Sequence, residues 1–108
     1  MTILETTINY KEQKKMSFTT KEIDTLLQLS FKSSLNEAIE KVGKLSSDQI
    51  YTIWQYLRFN GMSVADIAKV FERSEGGVRY GIKQFDDLFK AKDPKIMACY
   101  YQFTNAIC

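Results

Sequence analysis

The sequence predicts an all-α fold, a compact helical domain of about five to six helices, from three observations. Residue pairs with the spacing of a capping box recur along the chain, apolar residues repeat at helical intervals behind them, and no pair of strands stands out. The 108 residues provide for one domain, and a hydrophobic content of 44% can supply its core without disulfides or metal. We divide the chain into an N-terminal arm, residues 1–18, and a single helical domain, residues 19–108.

The N-terminal arm is the least regular part of the sequence. Thr2–Tyr10 is rich in threonine and isoleucine, which suits a strand, but no partner strand follows it. We expect the arm either to be loosely packed or to pair with a second subunit. Its lysines Lys11, Lys14 and Lys15 suit either a solvated tail or an arm that grips DNA.

Three helices are predicted between Phe18 and Gly61. At the start of each, a Ser or Thr oxygen can accept a hydrogen bond from a backbone N–H, and a Glu or Gln three residues later can bond back. These pairs are Thr19–Glu22, Ser34–Glu37 and Ser46–Gln49. The apolar positions behind them are Ile23, Leu26, Leu27, Leu35, Ala38, Ile39, Val42, Ile50, Ile53, Trp54 and Leu57. Asn60-Gly61 is expected to end the third helix, because glycine tolerates the left-handed conformation that closes a helix.

Three further helices complete the predicted domain. They are Val64–Phe71, Glu75 to about Lys90, and Lys95–Ala106. Ser63 is expected to cap the first of them. Asp93 is a natural cap for the last, since Pro94 follows it at the first helical position, where proline loses no hydrogen bond.

The last helix has more apolar surface than one face of a helix usually buries. Its apolar residues are Ile96, Met97, Tyr100, Tyr101 and Phe103. We expect a homodimer through this helix, because symmetric dimers are the commonest oligomers of soluble proteins. The alternative is that these residues wrap back over the face that carries Trp54 and complete the core of a monomer.

The segment from Gly61 to Ile82 predicts a helix-turn-helix, which we place at residues 62–90. It describes a short helix, a break of three or four residues and a longer helix. Two helices that cross steeply need small residues where their backbones approach, and Ala68 and Gly81 supply them. The apolar side chains expected in the shared core are Ile67, Phe71, Val78 and Ile82, and the stripe of the second helix is Val78, Ile82, Phe85 and Phe89.

The opposite face of the second helix carries residues suited to double-stranded DNA. Arg79 can donate two hydrogen bonds to a guanine, while Gly76 and Gly77 allow close approach of a backbone whose N–H groups attract phosphate. The predicted DNA-binding residues are Ser63, Lys69, Arg73, Ser74, Gly76, Gly77, Arg79, Tyr80 and Lys83. Asp87 lies on the same face about two turns further on, where it need not meet the DNA.

The same segment resembles the helix-turn-helix superfamily, above all the fourth region of bacterial sigma factors and the output domains of response regulators. Those contain a motif of the form S-x-x-[DE]-I-A-x-x-[LF]-x-x-S-x-G-x-V, which is matched here from Ser63 to Val78. A weaker likeness is to the C-terminal DNA-binding domain of the bacterial replication initiator, although its Asp-His-Thr-Thr signature is absent and Ser74-Glu75-Gly76-Gly77 stands nearby. Glu72 replaces the usual turn glycine and Arg73 an apolar residue. The resemblance, over about 40 residues, implies a small transcriptional regulator of bacterial, phage or mobile-element origin.

The modest net charge keeps a second function open. The chain has 15 basic and 13 acidic residues, a net charge of +2, which is compatible with a nucleic-acid partner but does not demand one. The alternative is a protein-interaction adaptor of the same fold that binds polymerase or a sigma factor.

Composition argues against an enzyme, a metal site and a membrane protein. The chain has no histidine, so Cys/His zinc sites and His-based catalytic pairs are excluded, and Cys99 and Cys108 lack metal-ligand spacing. We expect ordinary reduced thiols, no cofactor and no small-molecule ligand. No apolar run approaches the roughly 20 residues of a membrane span, and the N-terminus lacks the apolar core of a signal peptide. The sequence therefore predicts a soluble, cytoplasmic protein.

Overall fold

The computed structural model of the chain describes residues 18–40 and 45–107, and all regular secondary structure in these ranges is helical. The helices are α1 Thr20–Phe31, α2 Leu35–Glu40, α3 Ser47–Phe59, α4 Val64–Phe71, α5 Glu75–Lys90 and α6 Pro94–Ile107. The predicted all-α fold is therefore confirmed. None of these described helices has the length and apolar character needed to cross a membrane.

The helices begin where the capping residues predict. In the three capping boxes the Ser or Thr oxygen accepts the backbone N–H of the Glu or Gln, whose side chain accepts the cap's own N–H in return. Ser63 and Ser74 cap α4 and α5, each accepting a backbone N–H at 3.0 Å. The Asp93 carboxylate accepts two backbone N–H groups at the start of α6. Local hydrogen bonding thus sets where these helices start.

Several helices end on charged residues in the left-handed conformation. Lys32, Glu72 and Lys92 have φ of 54°, 55° and 57°, next to the expected case of Gly61 at 102°. This conformation costs an L-residue about 1 kcal/mol relative to glycine. Glu72 begins the three-residue turn between α4 and α5, and its N–H donates back to carbonyls of the last turn of α4. The turn therefore keeps the conformation that glycine favours without having a glycine.

Helix α3 lies at the centre of the packing, in contact with α4, α5 and α6. Its predicted apolar residues Ile53, Trp54 and Leu57 are all buried. The Trp54 ring meets Phe71 of α4 edge-on, with 5.8 Å between ring centroids. The core therefore forms around the helix that precedes the predicted helix-turn-helix.

Helix α6 packs against α1 and α3 and closes the core. Ile96 and Phe103 are fully buried, and the Phe103 ring centroid lies 4.9 Å from that of Tyr56 and 6.2 Å from that of Phe31. These two side chains are therefore buried within the described chain itself. Of the large apolar side chains of α6, Tyr101 remains 53% exposed.

Gly81 is a close-approach position, as predicted, but its neighbour is α3. A Cβ at this residue would lie 2.6 Å from Cδ1 of Tyr51 and 2.7 Å from two ring carbons of Trp54. The sequence predicts Gly81, together with Ala68, at the crossing of the two motif helices. Ala68 is buried on α4. Glycine at 81 instead lets the backbone of α5 touch the aromatic face of α3.

The predicted N-terminal arm lies outside the described residues, except for Phe18, and so do Val42 and Cys108. Phe18 is half-buried, and its ring centroid lies 6.0 Å from that of Tyr56. It therefore contributes to the partly buried shell around the core.

Gly81→Ala and Gly76→Ala are predicted to change stability in opposite directions. The added methyl at 81 meets two rings, one of them buried, so we expect the free energy of unfolding to fall by roughly 1–3 kcal/mol. At 76 no heavy atom lies within 4 Å of the added Cβ. Alanine's better helix propensity should therefore raise stability there by up to about 1 kcal/mol. Urea unfolding measures both, and equal effects would contradict the tight packing of α5 on α3.

Candidate nucleic-acid interface

One face of α5 is held against the core and the other is exposed. Val78, Gly81 and Phe85 are buried at successive spacings of three and four residues, which is one side of a helix. Ile82 and Phe89, the other members of the predicted stripe, are half-buried beside them. The outer side of the helix is thus available to a partner along its length.

The structure exposes eight of the nine predicted DNA-contact residues. They are Ser63, Lys69, Ser74, Gly76, Gly77, Arg79, Tyr80 and Lys83. Five of these, from Gly76 to Lys83, lie on α5, while Lys69 lies on α4. The hydroxyls of Ser63 and Ser74 already accept backbone N–H groups as helix caps. These two residues could therefore contact a partner mainly because they lie at the exposed starts of α4 and α5.

The two cations on the outer face are paired within their own helix. Arg79 Nη2 lies 3.1 Å from Oε1 of Glu75, and Lys83 Nζ lies 2.9 Å from Oδ2 of Asp87. The hydrogen bond to Asp87 and its charge raise the pKa of Lys83 above its usual range, so this side chain is cationic at neutral pH. Such exposed pairs add little to stability, because water screens them. Their effect is to orient the two cations along the helix.

Tyr80 is an exposed aromatic side chain held in place on both sides. It is 57% exposed, and its ring meets Tyr51 edge-on with 6.4 Å between centroids. Its hydroxyl accepts a hydrogen bond of 2.8 Å from Nε2 of Gln84. Gln84 was missed at the sequence level, although its spacing of four residues from Tyr80 was available as a signal. The ring therefore presents a fixed apolar face beside Arg79.

A groove of ≈ 280 Å³ runs along the Arg79 side of α5. Its charged residues are Arg58, Arg79, Lys83, Asp86, Asp87 and Lys90, and we call it the basic groove. Arg58 and Lys90 were not among the predicted residues. Arg58 belongs to α3, so only the packing of α3 on α5 could have brought it here.

A second cavity, of ≈ 410 Å³, lies on the other side of α5, between the starts of α3 and α5. Its lining includes Tyr51, Trp54, Arg73, Gly77 and Tyr80, and we call it the tyrosine pocket. The predicted DNA-contact residues are therefore divided between two flanks. Arg79 and Lys83 border the basic groove, and Arg73, Gly77 and Tyr80 border the tyrosine pocket.

Arg73 differs from the other predicted residues because its guanidinium is bound within the protein. Its two terminal nitrogens donate to the carbonyl oxygens of Ala38 at 3.0 Å, Phe71 at 2.9 Å and Ile39 at 3.5 Å. Two of these carbonyls belong to the last turn of α2, where backbone oxygens have no helical partner. Arg73 therefore ties the turn before α5 to the end of α2.

Cys99 and the acidic residues form no candidate metal centre in the described part of the chain. No group of three Cys, Asp or Glu side chains there could hold a metal ion. Cys99 is half-buried, and burial, followed by the charge of Asp48, raises the pKa of its thiol. The thiol is protonated at neutral pH and is a poor nucleophile in that form.

Comparison with known proteins adds no relative to this picture. No protein-family model, no curated protein and no solved structure matches the chain. The function must therefore be argued from the chain's own residues.

Arg73→Ala is predicted to destabilise the fold, whereas Arg79→Ala should leave it nearly unchanged. Loss of the Arg73 guanidinium leaves three carbonyls without their charged donor, and we expect a loss of about 1–3 kcal/mol in the free energy of unfolding. Arg73→Lys should recover only part, because an ammonium cannot span carbonyls that a planar fork reaches. The exposed Arg79 is the matched control, with a change within about 0.5 kcal/mol. Chemical unfolding of the three variants measures these changes in the free energy of unfolding. Equal losses for Arg73→Ala and Arg79→Ala would contradict the structural role of Arg73.

Proposed function

We propose that the chain is a sequence-specific, double-stranded DNA-binding protein, a small transcriptional regulator of bacterial, phage or mobile-element origin. In this proposal α4 and α5 form a helix-turn-helix and α5 is the reading helix. The observation that carries it is the division of α5 into a buried face and an exposed face with Gly76, Arg79, Tyr80 and Lys83. Its place would be the cytoplasm, where such regulators meet DNA.

The dimensions of α5 suit the major groove. Its 16 residues extend over about 24 Å at 1.5 Å per residue, and a groove about 12 Å wide admits one α-helix. Gly76 and Gly77 have no side chains, so in the first turn of α5 only Glu75 extends from the exposed face. The N-terminal half can therefore approach base edges closely, which is how recognition helices are used.

Base reading in this proposal falls mainly to Arg79. In the absence of DNA its guanidinium is held by one oxygen of Glu75. A guanine offers two acceptors, O6 and N7, in the geometry that a guanidinium matches. The bond to Glu75 would then be exchanged for two bonds to the base, and the fixed ring of Tyr80 would lie against the neighbouring base pair. Lys83 lies one turn further on, where its ammonium group would bind a phosphate of the DNA backbone.

The adaptor alternative is favoured by a specific observation. Arg79 and Lys83 each have an acidic partner on the same face of α5, which lowers the positive potential that this face presents. Under this alternative the face would bind polymerase or a sigma factor. Salt-dependent DNA affinity separates the two functions, since counterion release accompanies binding to phosphates.

Duplex DNA is predicted to bind with an affinity that falls between about 50 and 200 mM salt. On the preferred sequence, Arg79→Ala should weaken binding by about 1–3 kcal/mol and relax specificity at one base pair. Lys83→Ala should weaken binding to all duplexes alike. Fluorescence anisotropy with labelled duplexes measures both effects.

The matched control is Lys21→Ala, an exposed lysine on α1 that lines a different groove. It should bind DNA as the unsubstituted chain does. If the chain binds no duplex at low salt but binds purified bacterial RNA polymerase, the adaptor replaces the regulator. If both α5 variants bind normally, the reading face is elsewhere.

A homodimer is part of the proposal, because one reading helix covers few base pairs and two half-sites about 34 Å apart would double the contacts. The dimer contact can involve only part of the surface of α6. Ile96 and Phe103 are committed to the core, and the large apolar side chains still exposed on α6 and α1 are Tyr101 and Leu29, at 53% and 55%. Deleting α6 would remove core residues, so it would test folding rather than association.

Tyr101→Lys is predicted to convert a dimer into a folded monomer, because a charge at the contact must be desolvated. Light scattering at micromolar concentration measures the mass, and circular dichroism checks the fold. Phe59→Lys is the matched control, since Phe59 is 85% exposed on α3, outside α1 and α6, and should leave the mass unchanged. A monomeric unsubstituted chain would end the dimer proposal without affecting the DNA proposal.

A further inference from the structure

The basic groove contains two cations, Arg58 and Lys90, that were not among the predicted DNA-contact residues. Arg58 lies in the last turn of α3, and Lys90 is the last residue of α5. They line the groove together with Arg79 and Lys83. Four cations thus face two carboxylates, so the groove is positively charged.

The four cations differ in how they are paired. Arg79 and Lys83 each hold a carboxylate of their own helix. The exposed side chains of Arg58 and Lys90 form no ion pair or hydrogen bond with any residue in the ranges 18–40 and 45–107. Two of the four positive charges are therefore uncompensated by direct contacts in the described fold.

The carboxylates of the groove are already engaged. Asp87 accepts the hydrogen bond of Lys83, and Asp86 accepts one from Nε2 of Gln55. Both unpaired cations lie at helix C-termini, where the helix dipole favours positive charge. The dipole accounts for a cation at each end. The helix dipole does not explain why both cations lie in the groove that Arg79 borders. Binding of an external anion in that groove would explain it.

We propose that Arg58 and Lys90 bind the phosphate backbone of the DNA that α5 reads. This inference rests on the proposed function and adds the residues that hold the duplex. A guanidinium can donate to two phosphate oxygens at once, and an ammonium binds phosphate as a point charge. Phosphate contacts fix the register of a protein on DNA, and base contacts read the sequence. Arg58 and Lys90 would thus position the protein on the DNA, and Arg79 would read the base sequence.

Arg58 has a fixed relation to the reading helix. It lies on α3, one turn beyond Trp54, whose ring touches the backbone of α5 at Gly81. A phosphate bound by Arg58 would therefore be held at a set distance from the outer face of α5. The contact would control how deeply the helix enters the groove.

The test is the salt dependence of duplex binding for Arg58→Gln, Lys90→Gln and the double variant in the full chain. Each substitution should make the negative slope of log K against log salt shallower by about 1, and the pair by about 2. At 0.1 M salt each should weaken binding roughly eightfold, equally on preferred and random duplexes. Arg58→Lys should keep the slope, because it keeps the charge, and Lys21→Gln is the control for a distant cation.

The outcomes separate this inference from the function beneath it. If the unsubstituted chain shows no salt-dependent binding, the proposed function fails and the inference fails with it. If that chain binds and the Gln variants bind with an unchanged slope, the function stands and the inference is overturned. A lower melting temperature with an unchanged slope would also overturn it, because the two cations would then serve only their helix ends.

Discussion

The contact between Trp54 and the backbone of Gly81 is the constraint on which the arrangement of the other helices depends. A side chain at 81 would force α5 away from α3, because ring carbons lie 2.7 Å from the place its Cβ would take. The same ring packs edge-on against Phe71, so one side chain positions both α4 and α5. Trp54 Nε1 is buried and has no hydrogen-bond partner among residues 18–40 and 45–107, a loss of about 1–3 kcal/mol. The packing of the ring must outweigh that loss.

Arg73 adds a second tie at the turn that joins the two helices. The guanidinium of Arg73 is bound to carbonyls of α2 and α4. The turn also includes Glu72 in a left-handed conformation. This polar contact brings α2 into the support of α5. Helix α5 is therefore supported by α3 along its buried face and, through Arg73 in the preceding turn, by α2 at its N-terminus.

Local signals in the sequence predicted most of the helices, because caps and apolar spacing depend on residues a few positions apart. Ser63 and Asp93 each mark a helix start that the structure confirms. What could not be predicted depends on packing between distant segments. Arg58 reaches the basic groove only because α3 packs on α5, and Arg73, whose charge suggested DNA, is bound to carbonyls 34 and 35 positions away. The charge of these arginines could be read from the sequence, and their exposure could be predicted from it. Their contacts with distant segments of the chain could not.

The closure of the core by α6 has a consequence for how the protein is made. Gln102 donates to the carbonyl of Ser30, 72 positions earlier, and Phe103 packs against Phe31. During synthesis α1 leaves the ribosome long before α6 exists to cover it. Until then Phe31 lacks its aromatic partner Phe103, and α3, on which the helix that carries Arg79 packs, lacks its contact with α6. We therefore expect the nascent chain to expose this apolar surface to chaperones until α6 has been made.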